Sequence, residues 1–138
     1  MKNVIRLGFL SIAVLLLSSC KKSDDQDPYI IFWGEDGKWI ETTSHIPVEL
    51  NSTFILKSEI GYHGSPHYNW KINDGDFEPY SMTDGLNITT IGRHNGLELQ
   101  KATWTLDFND ETLVVGDIVT IRLSDSSSMF RTLSFEVE

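Results

Sequence analysis

The chain has 138 residues, and its 11 Lys and Arg face 20 Asp and Glu for a formal net charge of −9. Nucleic acid is excluded as a partner, because phosphate backbones are bound by clustered cations and here the few cations are scattered among carboxylates. The only cysteine is Cys20, so no intramolecular disulfide is available and stability must come from a hydrophobic core. In chain order, the first segment reads as one to be removed. Lys2 and Arg6 precede an apolar run from Leu7 to Leu17 that is too short to span a bilayer comfortably. A basic start followed by such a run is the pattern of a cleaved signal peptide, here residues 1–19. Its removal takes away two cations and no acids, leaving a mature net charge of −11.

Leu17-Ser18-Ser19-Cys20 closes the apolar run, and this tetrapeptide resembles a bacterial lipobox. The resemblance implies cleavage before Cys20 and acylation of Cys20 as the first mature residue, with three acyl chains. Each buried methylene contributes about 0.8 kcal/mol, so one chain holds marginally and several hold almost permanently. The membrane, reached through this lipid, is the first expected partner. Residues 20–28 continue as Lys21-Lys22-Ser23-Asp24-Asp25-Gln26-Asp27-Pro28 and are too polar to bury surface, which makes them a flexible acidic tether. An acidic cluster just behind a lipidated cysteine is similar to the export signal of Bacteroidetes-type surface lipoproteins. That likeness implies a lipid-anchored location on the outer membrane, facing outward.

Residues 29–138 are sufficient for one domain and one core. Gly-containing and charged turns recur about every ten residues, and period-two alternation fills the segments between them, which predicts an all-β antiparallel protein. Trp33 and Trp39 flank Glu35-Asp36-Gly37, a tight-turn sequence. Thr53 to Ile60 alternates Phe54, Leu56 and Ile60 with Ile55, Lys57 and Glu59. His67 to Asn73 sets Tyr68, Trp70 and Ile72 on one face. Leu86 to Ile91 and Leu97 to Phe108 follow, the latter with Ala102, Trp104, Leu106 and Phe108 together. Leu97 to Thr103 is composed of helix formers and is open to a helical turn, while Thr103, Trp104, Thr105 and Phe108 favour strand for the second half. Ile118 to Leu123 and Phe130 to Val137 form a hairpin across Ser124 to Ser128, with Val119, Ile121, Leu123, Leu133, Phe135 and Val137 facing inward.

A family pattern emerges from Val48 to Gly75: an alternating strand, a Gly64-Ser65-Pro66 loop, a strand centred on Trp70, and an Asp74-Gly75 turn. This stretch resembles the first half of a PKD-like or immunoglobulin-like β-sandwich, and Trp70 matches the core tryptophan of those families. The resemblance implies a single antiparallel sandwich over residues 29–138. No cysteine pair brackets Trp70, which rules out an antibody-type domain, and the stretch from Phe77 to Asn109 is longer than the pattern.

Catalytic constellations are not marked. No Gly-x-Ser-x-Gly elbow and no phosphate-cradling glycine motif occurs, and the acids alternate onto outward faces or turns. His63 and His67 are separated by Gly64-Ser65-Pro66, which forbids a helical metal pair. Asp74 and Asp76 offer oxygen ligands around Gly75 without the spacing of an EF-hand, and an Asp-Gly turn needs no ion. No metal and no cofactor is therefore expected. What remains is binding, with aromatic rings at turns able to stack on a sugar or a protein. Trp33, Trp39, Tyr62, His63 and His67 are the candidate contact residues, Trp70 and Trp104 being assigned to the core. The expected function is a surface-anchored, non-catalytic module for a glycan or a protein, the alternative being a structural lipoprotein that assembles with an envelope protein through a strand edge or apolar patch.

Overall fold

The computed structural model describes residues 28–41, 44–126 and 128–138. The expected signal peptide, the lipobox-like tetrapeptide with Cys20, and the expected tether up to Asp27 lie outside the described residues. Among the described residues nine strands form two packed sheets: β1 Tyr29–Gly34, β2 Ile46–Val48, β3 Thr53–His63, β4 His67–Ile72, β5 Glu78–Pro79, β6 Leu86–His94, β7 Leu97–Asp107, β8 Ile118–Ser124 and β9 Phe130–Val137. One sheet runs β1-β3-β7-β6, and the other runs β2-β9-β8-β4-β5. In the letters of a constant-type immunoglobulin sandwich, the first sheet is A-B-E-D and the second contains G-F-C. The expected all-β sandwich is thus present, with one departure from a purely antiparallel arrangement: β2 pairs parallel to β9. The first edge of the chain switches sheets, pairing β1 with β3 and then β2 with β9.

Alternation in the sequence becomes burial in the fold. Leu56, Ser58 and Ile60 of β3, Ala102, Trp104 and Leu106 of β7, Val119, Ile121 and Leu123 of β8, and Leu133, Phe135 and Val137 of β9 are all buried between the sheets. The expected hairpin β8–β9 is present, with Ile121 opposite Leu133. Leu97 to Thr103 is extended throughout and pairs with both β3 and β6, so the helix propensity of its side chains loses to two ladders of backbone bonds. The length from Phe77 to Asn109 resolves into β5, a single 3₁₀ turn at Met82–Asp84, and the β6–β7 hairpin. Asn95 (φ 51°) and Gly96 (φ 78°) make the two-residue hairpin turn, both in the left-handed region that a type I′ turn requires.

The central tryptophan is Trp104, fully buried, whereas Trp70 is half-buried at the margin of the core. Trp104 on β7 donates its Nε1–H to Ser58 Oγ at 2.8 Å, which explains a serine on the core face of β3. A buried indole without an acceptor would lose a hydrogen bond that water supplies in the unfolded chain. Rings continue from Trp104 to Tyr68 (5.3 Å between centroids) and to Tyr80 (5.3 Å), and from Tyr80 to Trp70 (6.2 Å, 89° between planes).

Candidate binding cleft

The aromatic chain ends at an opening. β6 begins at Leu86 opposite Trp104, so the last residues of β7, Leu106 and Asp107, have no strand partner on that side. On the facing sheet β5 is only two residues long and pairs with Asn69 and Trp70 alone. The two sheets therefore part along this flank, and a cleft of about 420 Å³ enters between them. Its floor is apolar, made by Ile72, Leu106, Phe108, Leu113, Val119 and Ile121, and its wall carries Trp70 and Tyr80. Thr83, Asp84, Asp107, Asn109 and Asp110 form the rim. An apolar concavity with a few convergent polar groups is the usual form of a ligand site.

Local chemistry fixes these groups. The Tyr80 hydroxyl donates to the Thr105 carbonyl at 2.5 Å, holding the ring in the wall. Its pKa is pushed up to about 12 by burial, and then by the charges of Asp84 and Asp107. The two carboxylates thus place a negative field over the ring. Asp84 accepts from the Ser81 hydroxyl (2.8 Å) and the Ser81 N–H (3.3 Å), closing the 3₁₀ turn. Asp107 Oδ1 accepts from Asn109 N–H at 2.9 Å. Asp110 Oδ1 accepts from both the N–H and the hydroxyl of Thr112 at 2.8 Å, and these bonds hold its carboxyl below the usual carboxylate range. Asp117 fastens the lower wall, accepting from Asn73 Nδ2 (2.9 Å) and Val114 N–H (3.0 Å), with its pKa lowered by the same bonds.

The five residues expected to contact a ligand are placed in three locations, none lining this cleft. Trp39 is exposed, at 76%, and forms a bridge with Trp33 across the Glu35-Asp36-Gly37 turn, so that turn is as expected. Trp33 is half-buried on the outer face of its sheet, beneath Lys101 Nζ at 5.8 Å from the ring centre. Tyr62 lies five residues along β3 from the partner of Trp33, about 16 Å at the strand rise. Its ring meets Tyr29 and His94 edge-on at 6.1 and 6.0 Å. Tyr29 in turn donates to Glu59, and burial together with that carboxylate raises its pKa. The backbone of His63 pairs with Glu98 beyond a bulge, and His67 is exposed at the start of β4.

Trp39 shares a second groove with Ile31, Ile40, Met129 and Phe130, the last 62% exposed. Asp74 and Asp76 are exposed turn residues; among the described residues no three His, Cys, Asp or Glu side chains gather to hold a metal ion. The cleft was missed because its pieces carry bland local signals. Asp107 to Glu111 reads as a solvated turn and Trp70 as core, and only the late start of β6 brings them together. No family model matches the chain, and no curated protein matches it.

Proposed function

We propose that this chain is a lipid-anchored, non-catalytic binding module of the bacterial cell envelope, exported to the outer membrane surface and built on a PKD-like or immunoglobulin-like body, and that it takes a glycan in the Trp70–Tyr80 cleft. The cleft carries this reading: two aromatic rings offer apolar faces to a sugar ring, while Asp107, Asn109 and Asp110 offer acceptors and donors to hydroxyls. A binding role fits the rim carboxylates, since Asp107 and Asp110 are tied into their own turns and Asp110 is held in its ionised form, the reverse of a general acid. Affinity electrophoresis on a polysaccharide panel tests it, comparing wild type with Trp70→Ala, Asp107→Ala and Trp39→Ala. Retardation lost with the first two and kept with the third supports the cleft. Retardation by no glycan, or loss only with Trp39→Ala, overturns it. The anchor is tested by palmitate labelling, which Cys20→Ala should abolish; unchanged labelling ends that part.

A second reading has its own observation. Trp39 and Phe130 are large, exposed and lie along one groove beside β1, a surface suited to a protein partner in an envelope assembly. Cross-linking in cells that captures one defined protein through position 39, and not through position 107, would favour it over the glycan reading.

A further inference from the structure

Each sheet of an open sandwich has two edges, and an edge strand left bare is a template for another strand. Three of the four edges here are guarded. β2 has three residues, with Pro47 at its centre, and β5 has two, ending in Pro79. β1 is capped over half its length by its own chain, through Gly34 N–H to the Lys38 carbonyl (3.0 Å) and Ile40 N–H to the Phe32 carbonyl (2.9 Å). The fourth edge, β6, is nine residues long. Leu86 N–H donates to Ser81, and from Asn87 to Arg93 no backbone bond from a turn or loop among the described residues reaches the strand. From Leu86 to Gly92 it carries no charge and no proline, in a chain of net charge −9. Its residues Asn87, Thr89, Thr90 and Ile91 are exposed, and Ile88, Thr89, Thr90 and Ile91 are β-branched.

The charges at the two ends of β6 say what fits. Asp84 stands just before the strand, accepting from Ser81, and Arg93 near its end, an exposed side chain 3.0 Å from Glu98 of β7, with a neutral run between. Two such edges laid antiparallel set the basic end of each against the acidic end of the other, whereas an edge of uniform sign would repel its own copy. We propose that β6 pairs with β6 of a second copy of this chain about a two-fold axis, joining two four-stranded sheets into one of eight. The bulge between Thr90 and Gly92 limits the regular segment to Leu86–Thr90, which puts the axis at Ile88 and places Asn87 of one copy opposite Thr89 of the other. In that register Arg93 lies beside Asp84 of the second copy.

The test is a disulfide across the axis in the full chain, with the protein purified in detergent and oxidised. In the Asn87→Cys/Thr89→Cys variant each new thiol faces its counterpart in the second copy at a distance that a disulfide can close, while two residues apart on one strand is too far. Most of the protein should run at twice its monomer mass on a non-reducing gel and return to monomer on reduction. Asp74→Cys/Asp76→Cys, at an exposed turn away from β6, should stay monomeric. Adding Arg93→Asp to the cross-linking variant should cut the dimer several-fold, and adding Asp84→Arg as well should restore it. No dimer, equal dimer from the Asp74 and Asp76 positions, or a charge reversal without effect overturns the proposal.

Discussion

The two long flanks of the sandwich solve the same problem with opposite results. On the β1–β2 flank the chain crosses from one sheet to the other, but residues 38–40 first fold back along β1 and keep its backbone groups bonded. Large aromatics such as Trp39 and Phe130 lie on the outside there, lining surface grooves. On the β5–β6 flank the crossing is made by Tyr80 to Gly85 with one 3₁₀ turn, and β6 starts short of the end of β7. Aromatics are turned inward here, and a cleft remains. An aromatic ring beside an edge thus serves different ends: outside a sealed edge it is surface, and inside an unsealed one it is a wall. The sharpest way to break the comparison is to remove the ring that the inner flank leans on. Trp104→Ala should cost about 3–5 kcal/mol of stability and open the cleft into the core. Urea unfolding followed by the remaining tryptophan fluorescence would measure it. A loss under 1 kcal/mol would mean that the ring series Tyr68, Trp104, Tyr80 is not what holds this flank.

A smaller change sharpens the same point. Tyr80→Phe keeps the ring and removes one hydroxyl, leaving the Thr105 carbonyl without its side-chain donor. The expected loss is about 1 kcal/mol, the ordinary net value of one hydrogen bond. Ligand affinity should fall by more than stability does if the wall must be held still to bind, and isothermal titration with a retarding glycan would separate the two.

How much of this was legible in the sequence differs by flank as well. Period-two alternation located β3, β4, β7, β8 and β9 and their inward faces, because a residue that must face a core on a strand has no other spacing available. Asn95-Gly96 also announces the β6–β7 hairpin, which accounts for the long stretch after Phe77. The family resemblance points to Trp70 as the core tryptophan, and the sequence assigns both Trp70 and Trp104 to the core. Trp104 has an equal pattern, and only the pairing of β7 between two strands, against the near-edge place of Trp70 beside a two-residue β5, decides which is buried. The cleft is least legible of all. It depends on where β6 starts relative to β7, a matter of register between strands that local sequence does not carry, and its acids look like those of any turn.

Acid should act on the inner flank before the outer one. Asp110 and Asp117 both pin the loop that walls the cleft, and both have lowered pKa values from the hydrogen bonds they accept. A carboxylate depressed in the folded state contributes stability that is present above its unfolded pKa of about 3.9 and lost as pH falls through the lower folded value. Titration from pH 5 downward should therefore loosen residues 109–117 while β1 to β3 hold, seen as early amide exchange confined to that loop. Asp117→Asn should remove part of that pH dependence, because its amide cannot accept from both Asn73 and Val114. Uniform loosening of both flanks would refute the distinction.

The smallest expected effect is the most telling for the outer flank. Trp39 is 76% exposed, and its backbone bridges Trp33 across the turn. Trp39→Ala should therefore change stability by less than about 0.5 kcal/mol, as surface substitutions away from caps and core do. Such a result alone would say merely that the ring is surface. Paired with the assembly measurement it says more: a tryptophan that contributes nothing to folding and nothing to glycan retardation, yet whose loss abolishes a cross-link to an envelope protein, is there for a partner. If instead its removal destabilises the domain by as much as Tyr80→Phe does, then the fold-back of residues 38–40 depends on it, and the ring belongs to the seal that makes this flank differ from the other.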